Sequence, residues 1–154
     1  MTEPHQEGAK VIDWTISGVA IAMIAYHLIA VWYPLFNPLL HQNVHLGFAL
    51  VLLFLVAVKT SRKLPRILFT IGLVASLVCI IYMQVNFDRL TMYAGRVNPV
   101  DLIIGIILPI VVLSVVWKAW GPVFPGLAII AILYGLFGHL IPGTLGHSYM
   151  PPAL

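Results

Sequence analysis

Forty-five consecutive residues, 14–58, contain no Asp, Glu, Lys or Arg. An aqueous domain cannot solvate such a segment. Roughly 25% of the residues in a soluble protein are charged, whereas this chain of 154 residues carries 8%. Hydrophobic residues make up 61% and the mean hydropathy is +1.03, so hydrocarbon is the expected solvent. The same figures exclude a disordered chain. A nucleic-acid binder is excluded too, because the net charge of +3 rests on eight basic residues against five acidic ones and leaves no basic stripe. Cys79 is the single cysteine, which rules out an intrachain disulfide and a cysteine-based zinc cluster.

A bilayer core of about 30 Å takes about 20 apolar residues in helical form, and helix is the default way to satisfy a backbone there. The uncharged segment is too long for one crossing, and Pro34, Asn37 and Pro38 divide it. The expected spans are 14–33, 40–58, 67–85, 100–117 and 123–141. The fold class is therefore all-α, a polytopic helical membrane protein. A β-barrel is a poor fit, because the apolar runs are continuous and lack period-two alternation. The first span is too long for the core of a signal peptide and has no small-residue cleavage site behind it. His41, Asn43 and His45 make the start of the second span polar, which suits a start at headgroup level or partial burial in protein.

Lys and Arg set the orientation. Lys59, Arg62, Lys63 and Arg66 cluster in the second loop and place it in the cytoplasm, with Lys10 and Lys118 on the same side. The N-terminus is then cytoplasmic, and five crossings put residues 142–154 outside. Arg89 and Arg96 fall in the outer third loop, near Asp88 and Asp101. Trp14, Trp32, Tyr33, Trp117 and Trp120 stand at span ends, as an aromatic belt does. The organisation expected is a tail over 1–12, a four-helix region over 13–120, a fifth helix over 121–141 and an outer tail over 142–154.

Ionisable residues inside a span are functional candidates by default, and here they are scarce. Asp13 and Asp101 lie at the expected starts of spans one and four, where a carboxylate caps a helix and complements its dipole. His27 lies deep in the first span. His41 and His45 are four apart and share a helix face, a spacing compatible with metal ligation. A bis-histidine haem needs a partner for His27 at matched depth, and the antiparallel path puts His45 nearer the surface. Hydrogen bonding between helices is the simpler role for these imidazoles. Cys79 reads as a small packing residue. Gly18 with Ala22, and Gly72 with Ser76, have the spacing that lets helices approach closely. Pro109 and Pro125 are expected to bend or loosen their helices. No phosphate-binding loop, nucleophile–base arrangement or pair of buried acids is present, and no enzymatic activity is expected.

Three strings together resemble the small, Q-like membrane region of tripartite ATP-independent periplasmic (TRAP) transporters, especially the N-terminal part of fused TAXI-type permeases. They are Val44-His45-Leu46-Gly47-Phe48-Ala49-Leu50; Asn98-Pro99 followed by Asp101-Leu102-Ile103-Ile104-Gly105; and Gly121 and Pro125 with Tyr134-Gly135-Leu136-Phe137-Gly138, Pro142-Gly143 and His147. Their order and spacing cover nearly the whole chain. Where the family has an acidic residue and an Arg pair near the end of span four, this sequence has Ser114, Trp117 and Lys118. Fused relatives continue into a long M region, whereas this sequence ends at Leu154; the expectation is a separate small subunit or an N-terminal part.

The resemblance implies a scaffold subunit of a sodium-coupled importer of organic acids in a bacterial cytoplasmic membrane. It would brace a large M-type subunit that holds the sodium and substrate sites, while a periplasmic solute-binding protein delivers cargo. No cofactor is expected in this chain. Arg89, Arg96, His139 and His147 are candidate contacts to the periplasmic partner, or to lipid headgroups. Lys59, Arg62, Lys63 and Arg66 are candidate topology determinants facing anionic lipid. The rival reading is a haem-binding or quinone-linked redox subunit built on His27 and a second histidine.

Overall fold

The computed structural model describes residues 4–33, 37–92 and 96–148, with side chains from Lys10 onward. The described residues form helices α1 (Pro4–Trp32), α2 (Pro38–Thr60), α3 (Lys63–Val85), α4 (Phe87–Met92), α5 (Pro99–Trp120) and α6 (Val123–Phe137), closed by a 3₁₀ turn at Gly138–Leu140. Five of these segments are long and apolar enough to cross a membrane: Lys10–Trp32, Pro38–Thr60, Lys63–Val85, Pro99–Trp120 and Val123–Leu140.

Helices α2 and α5 start by the same local chemistry. In each, an Asn precedes a Pro at the first helical position, and the Asn side chain accepts the N–H three residues on, Leu40 from Asn37 and Asp101 from Asn98. The ring sits where no helical N–H partner is due, with its φ already helical. At Asn98 the exchange is reciprocal, since Asp101 also accepts the backbone N–H of Asn98, completing a capping box. The α5–α6 corner turns on Gly121, whose φ of 78° lies in the region that disfavours residues with a Cβ.

The centre of the bundle is α2, α3 and α5, with α1 laid against α2 and α6 against α5. Leu50, Phe54 and Ala57 from α2, Ile80 from α3, and Val111 and Val115 from α5 form the buried cluster. Asn43 meets Ile80 and Gln84 near one end of α2, and Phe54 meets Gly72 further along, so α2 and α3 run antiparallel. Phe54 is fully buried, and it fits because α3 has no side chain at Gly72. A Cβ there would come within 2.6 Å of the Phe54 ring. Ser76 and Cys79 are buried one and two turns further along α3, so Cys79 is the packing residue its sequence context suggests.

Several expectations change. Helix begins at Pro4 rather than near residue 13, because Gln6, Glu7, Ala9 and Lys10 are good helix formers. Asp13 therefore lies inside α1 and caps nothing. Gly18 has no neighbour within 4 Å of a would-be Cβ, so its small-residue spacing faces away from the bundle. Pro125 occupies the first turn of α6 and is buried; no intrahelical bond is due to that position, so it does not interrupt the helix. The third loop contains the short helix α4, and residues 93–95 of that loop lie outside the described residues, as do 149–154 of the expected tail.

Candidate functional site

Polar side chains gather at helix ends, and the densest group joins α1 to α2. His27 Nδ1 donates to the carbonyl of Met23, one turn back, at 2.7 Å. His27 Nε2 lies 2.9 Å from His45 Nδ1, with the two rings perpendicular at 5.0 Å between centroids. Alongside, the Tyr26 hydroxyl lies 2.9 Å from His41 Nδ1, its ring stacked on the His41 imidazole at 5.3 Å. The i, i+4 spacing of His41 and His45 puts both on the α2 face that α1 covers.

His27 lies 14 residues beyond Asp13, and His45 lies 14 residues before Lys59, about 21 Å of helix in each case. Since Asp13 and Lys59 are ion-paired, the two histidines stand at the same depth, and the expectation that His45 lies nearer the surface is overturned. The closeness of the rings is itself informative. Two nitrogens on opposite sides of one metal ion stand roughly 4 Å apart, twice a metal–nitrogen length of about 2.0–2.1 Å. Here a direct hydrogen bond fills that place, so the geometry lends nothing to a haem between His27 and His45. Among the described residues no group of three or more His, Cys, Asp or Glu side chains is arranged to hold a metal ion.

The second polar group holds α3, α4 and α5 together. Arg89 of α4 donates through both terminal nitrogens to the Asp101 carboxylate, at 2.8 Å to Oδ2 and 2.6 Å to Oδ1. Tyr82 of α3 donates to the same Oδ1 at 2.7 Å, and Arg89 also reaches the Tyr82 hydroxyl at 2.9 Å. With the capping N–H of Asn98, both oxygens of Asp101 are occupied, and its side chain is only 6% exposed. Bidentate pairing of this kind fixes orientation as well as adding attraction. Arg89 is thus held by Asp101, with about a third of its side chain still exposed. Asp101 does support the start of α5, but as the third residue of a capping box whose cap is Asn98.

Between these groups, Asn43 of α2 donates to the Ile80 carbonyl at 3.1 Å and to Gln84 Oε1 at 2.7 Å. At the opposite end of the bundle, Lys59 pairs with Asp13. Arg66 donates to the carbonyls of Val58 and Ser61 at 3.2 and 3.4 Å, closing the carbonyl end of α2. Of the four basic residues of that loop, only Arg62 and Lys63 are exposed without such a tie. Lys59 and Arg66 act on the protein itself, because each has an acceptor within reach on a neighbouring element.

Beyond α6 the chain folds back. Gly143 takes a φ of 88°, and Tyr134 donates to the Leu145 carbonyl at 2.7 Å. His147 lies over Gly138, where a Cβ would meet its ring at 2.7 Å. Its two ring nitrogens face carbonyls, Ser148 at 2.8 Å and Tyr134 at 3.1 Å, and its pKa is raised by those two acceptors in that order. The His139 ring stands 6.3 Å from that of His147. His147 is therefore turned inward. Arg96 remains exposed, so among the expected partner contacts it is the one whose charge the described residues leave outward.

Sequence reasoning named most of these residues without pairing them. Arg89 and Asp101 are twelve apart and joined by no periodicity, so only the short helix α4, hidden in a loop of mixed composition, brings them together. No protein-family model, curated protein or solved structure matches the chain.

Proposed function

We propose that this chain is a multi-pass scaffold subunit of a bacterial cytoplasmic membrane transporter of the TRAP type. It braces a larger M-type partner and moves no substrate alone. The observation that carries this reading is the engagement of the acids in the candidate spans. Asp13 is paired with Lys59, and Asp101 is held by Arg89, Tyr82 and Asn98. Ionisable groups at depth ordinarily mark an ion or proton path, and these two are tied into the fold. Sodium and substrate sites then belong to the partner.

Two further features support a bracing role. Helices α1 and α6 flank the bundle with large apolar side chains outward, including Ile21, Ile24 and Leu28 on α1 and Leu127, Ile130 and Leu133 on α6. The strings that resemble the family coincide with joints of the fold: Gly47 against Ile80, the Asn98–Asp101 cap with its Arg89 clasp, and Gly138 beneath His147. In this reading Lys59, Arg62 and Lys63 face the cytoplasm, Arg96 faces the side where the binding protein docks, and exposed Arg62 and Lys63 meet anionic headgroups.

The test is co-purification of the chain with a large polytopic partner, followed by sodium-driven uptake of an organic acid in proteoliposomes with and without it. Uptake that needs both chains is expected. Full uptake by the partner alone would overturn the bracing role.

A further inference from the structure

Asn43 is only 8% exposed, and its hydrogen bonding is incomplete. A carbonyl only accepts, so the Ile80 carbonyl, at 3.1 Å, must face the amide nitrogen. That contact orients the carboxamide, since turning it over would set its oxygen against the Ile80 oxygen. The nitrogen has two hydrogens; one goes to Ile80 and the other to Gln84 Oε1 at 2.7 Å. The donors are spent, while Oδ1 is enclosed by protein and accepts no hydrogen bond. A buried acceptor without a donor is uncommon and costly.

Asn43 also lines a cavity of about 350 Å³. Leu39, Asn43 and Leu46 share one face of α2, at spacings of four and three residues. Met83 comes from the end of α3, and Phe87 and Leu90, three apart on α4, form the third side. Arg89 leaves the opposite face of α4 for Asp101, which holds Phe87 and Leu90 over the cavity. The other polar residues of the wall are Gln42 and Thr91, and no charged side chain lines it. The Thr91 hydroxyl is already turned to the carbonyls of Phe87 and Asp88.

These walls specify an occupant. It brings a donor, because Asn43 offers only a lone pair. It is uncharged, because nothing in the wall would answer a buried charge. At about 30 Å³ for a group the size of water, the space takes roughly a dozen non-hydrogen atoms. Water itself suits it poorly, since a mainly apolar wall gives it too few partners. Helices α2 and α3 are long and apolar enough to cross a membrane, where the apolar molecules at hand are lipids.

We propose that the cavity between α2, α3 and α4 binds an uncharged lipid by a free hydroxyl. The hydroxyl donates to Asn43 Oδ1, and the hydrocarbon next to it lies against Leu39, Leu46, Met83 and Leu90. Entry needs a shift of the wall over Oδ1, and Met83, unbranched and freely rotating, is the side chain that gives way. The inference is independent of the transporter reading, since it concerns only these three helices.

The test is photolabelling of the full chain in lipid nanodiscs with decanol carrying a mid-chain diazirine, against the methyl ether of the same probe. The ether keeps the chain and an oxygen but has no hydrogen to donate. Labelling between Met83 and Thr91 is expected to saturate, at a membrane mole fraction roughly tenfold lower for the alcohol. Labelling of Ile130 and Leu133 on α6 serves as the unsaturable background. Equal half-saturation for the two probes would leave water or nothing on Asn43 and overturn the proposal, as would labelling that rises at the cavity as it does on α6. Leu90→Trp fills the space without touching Asn43 and should abolish the saturable labelling; its persistence would place the probe elsewhere. Asn43→Leu should erase the difference between alcohol and ether. If that variant does not fold, the two probes on the unaltered chain still decide the matter.

Discussion

On its α3 side, helix α2 sets Phe54 against the bare backbone of Gly72 and Gly47 against Ile80. On its α1 side it offers His41, His45 and Lys59, each met by a polar group. The first contact is mainly shape, with Asn43 adding hydrogen bonds to Ile80 and Gln84 at one end, and the second is mainly hydrogen bonding. In a bilayer the difference matters, because lipid tails cover an apolar helix as well as another helix does, and association rests on close fit or on polar contacts. Helix α1 has no close fit to offer, since none of its apolar span is buried. Its polar contacts to α2 lie at two places, the adjacent Tyr26 and His27 near one end and Asp13 about four turns away.

The sharpest way to separate the two modes is Phe54→Ala. Emptying the fully buried site is expected to cost about 3 kcal/mol, measured by unfolding in mixed micelles, while α1–α2 cross-linking stays at the level of the unaltered chain. Gly72→Ala should cost about 1–3 kcal/mol in the same assay, because the new methyl meets the Phe54 ring. The paired control is Gly18→Ala, where nothing lies within 4 Å; it should be neutral or stabilising by up to about 1 kcal/mol through helix propensity. Equal effects at the two glycines would abolish the distinction.

On the polar side, His45→Ala should weaken α1 docking by about 1–2 kcal/mol, read by cross-linking of α1 to α2. His45→Asn keeps a donor and should restore most of it. Lys59→Ala should cost less, about 1 kcal/mol at most, because both partners are about half exposed at 42% and 52%. The smallest effect belongs to the fold-back after α6. The His147 pKa is raised in the folded chain, so the charged ring stabilises the fold-back fully below the ordinary histidine value of 6.5. That contribution is lost as pH rises through the raised value. Amide protection around Leu145 should fall as pH rises above the ordinary histidine value of 6.5, and His147→Gln should flatten the dependence.

The long helices were legible because charge and proline punctuate them. Lys59 to Arg66 marks the α2–α3 turn, and the Asn-Pro steps open α2 and α5, so the expected spans fall within the observed helices except at the end of the first, which overruns α1 by one residue, and of the fifth, which closes in a 3₁₀ turn. What the sequence could not supply was rotation about a helix axis. Gly18 and Gly72 carry the same spacing signal, and only the second faces a neighbour. The histidines were singled out, yet their depth was misjudged, since a one-turn error in register between α1 and α2 is enough to separate or join them. Arg89 was read as a surface cation because its partner lies across a loop of no regular pattern.

Only Ser61 and Arg62 stand between α2 and α3, and Arg66 folds back onto the carbonyls of Val58 and Ser61. That brevity bears on how the chain is made. Asn43 lies near the far end of α2 from this turn, and its amide finds acceptors only when Ile80 and Gln84 have left the ribosome. For helices long and apolar enough to cross a membrane, a solitary α2 would until then carry an unanswered amide into oil, which favours entry of the two as one hairpin.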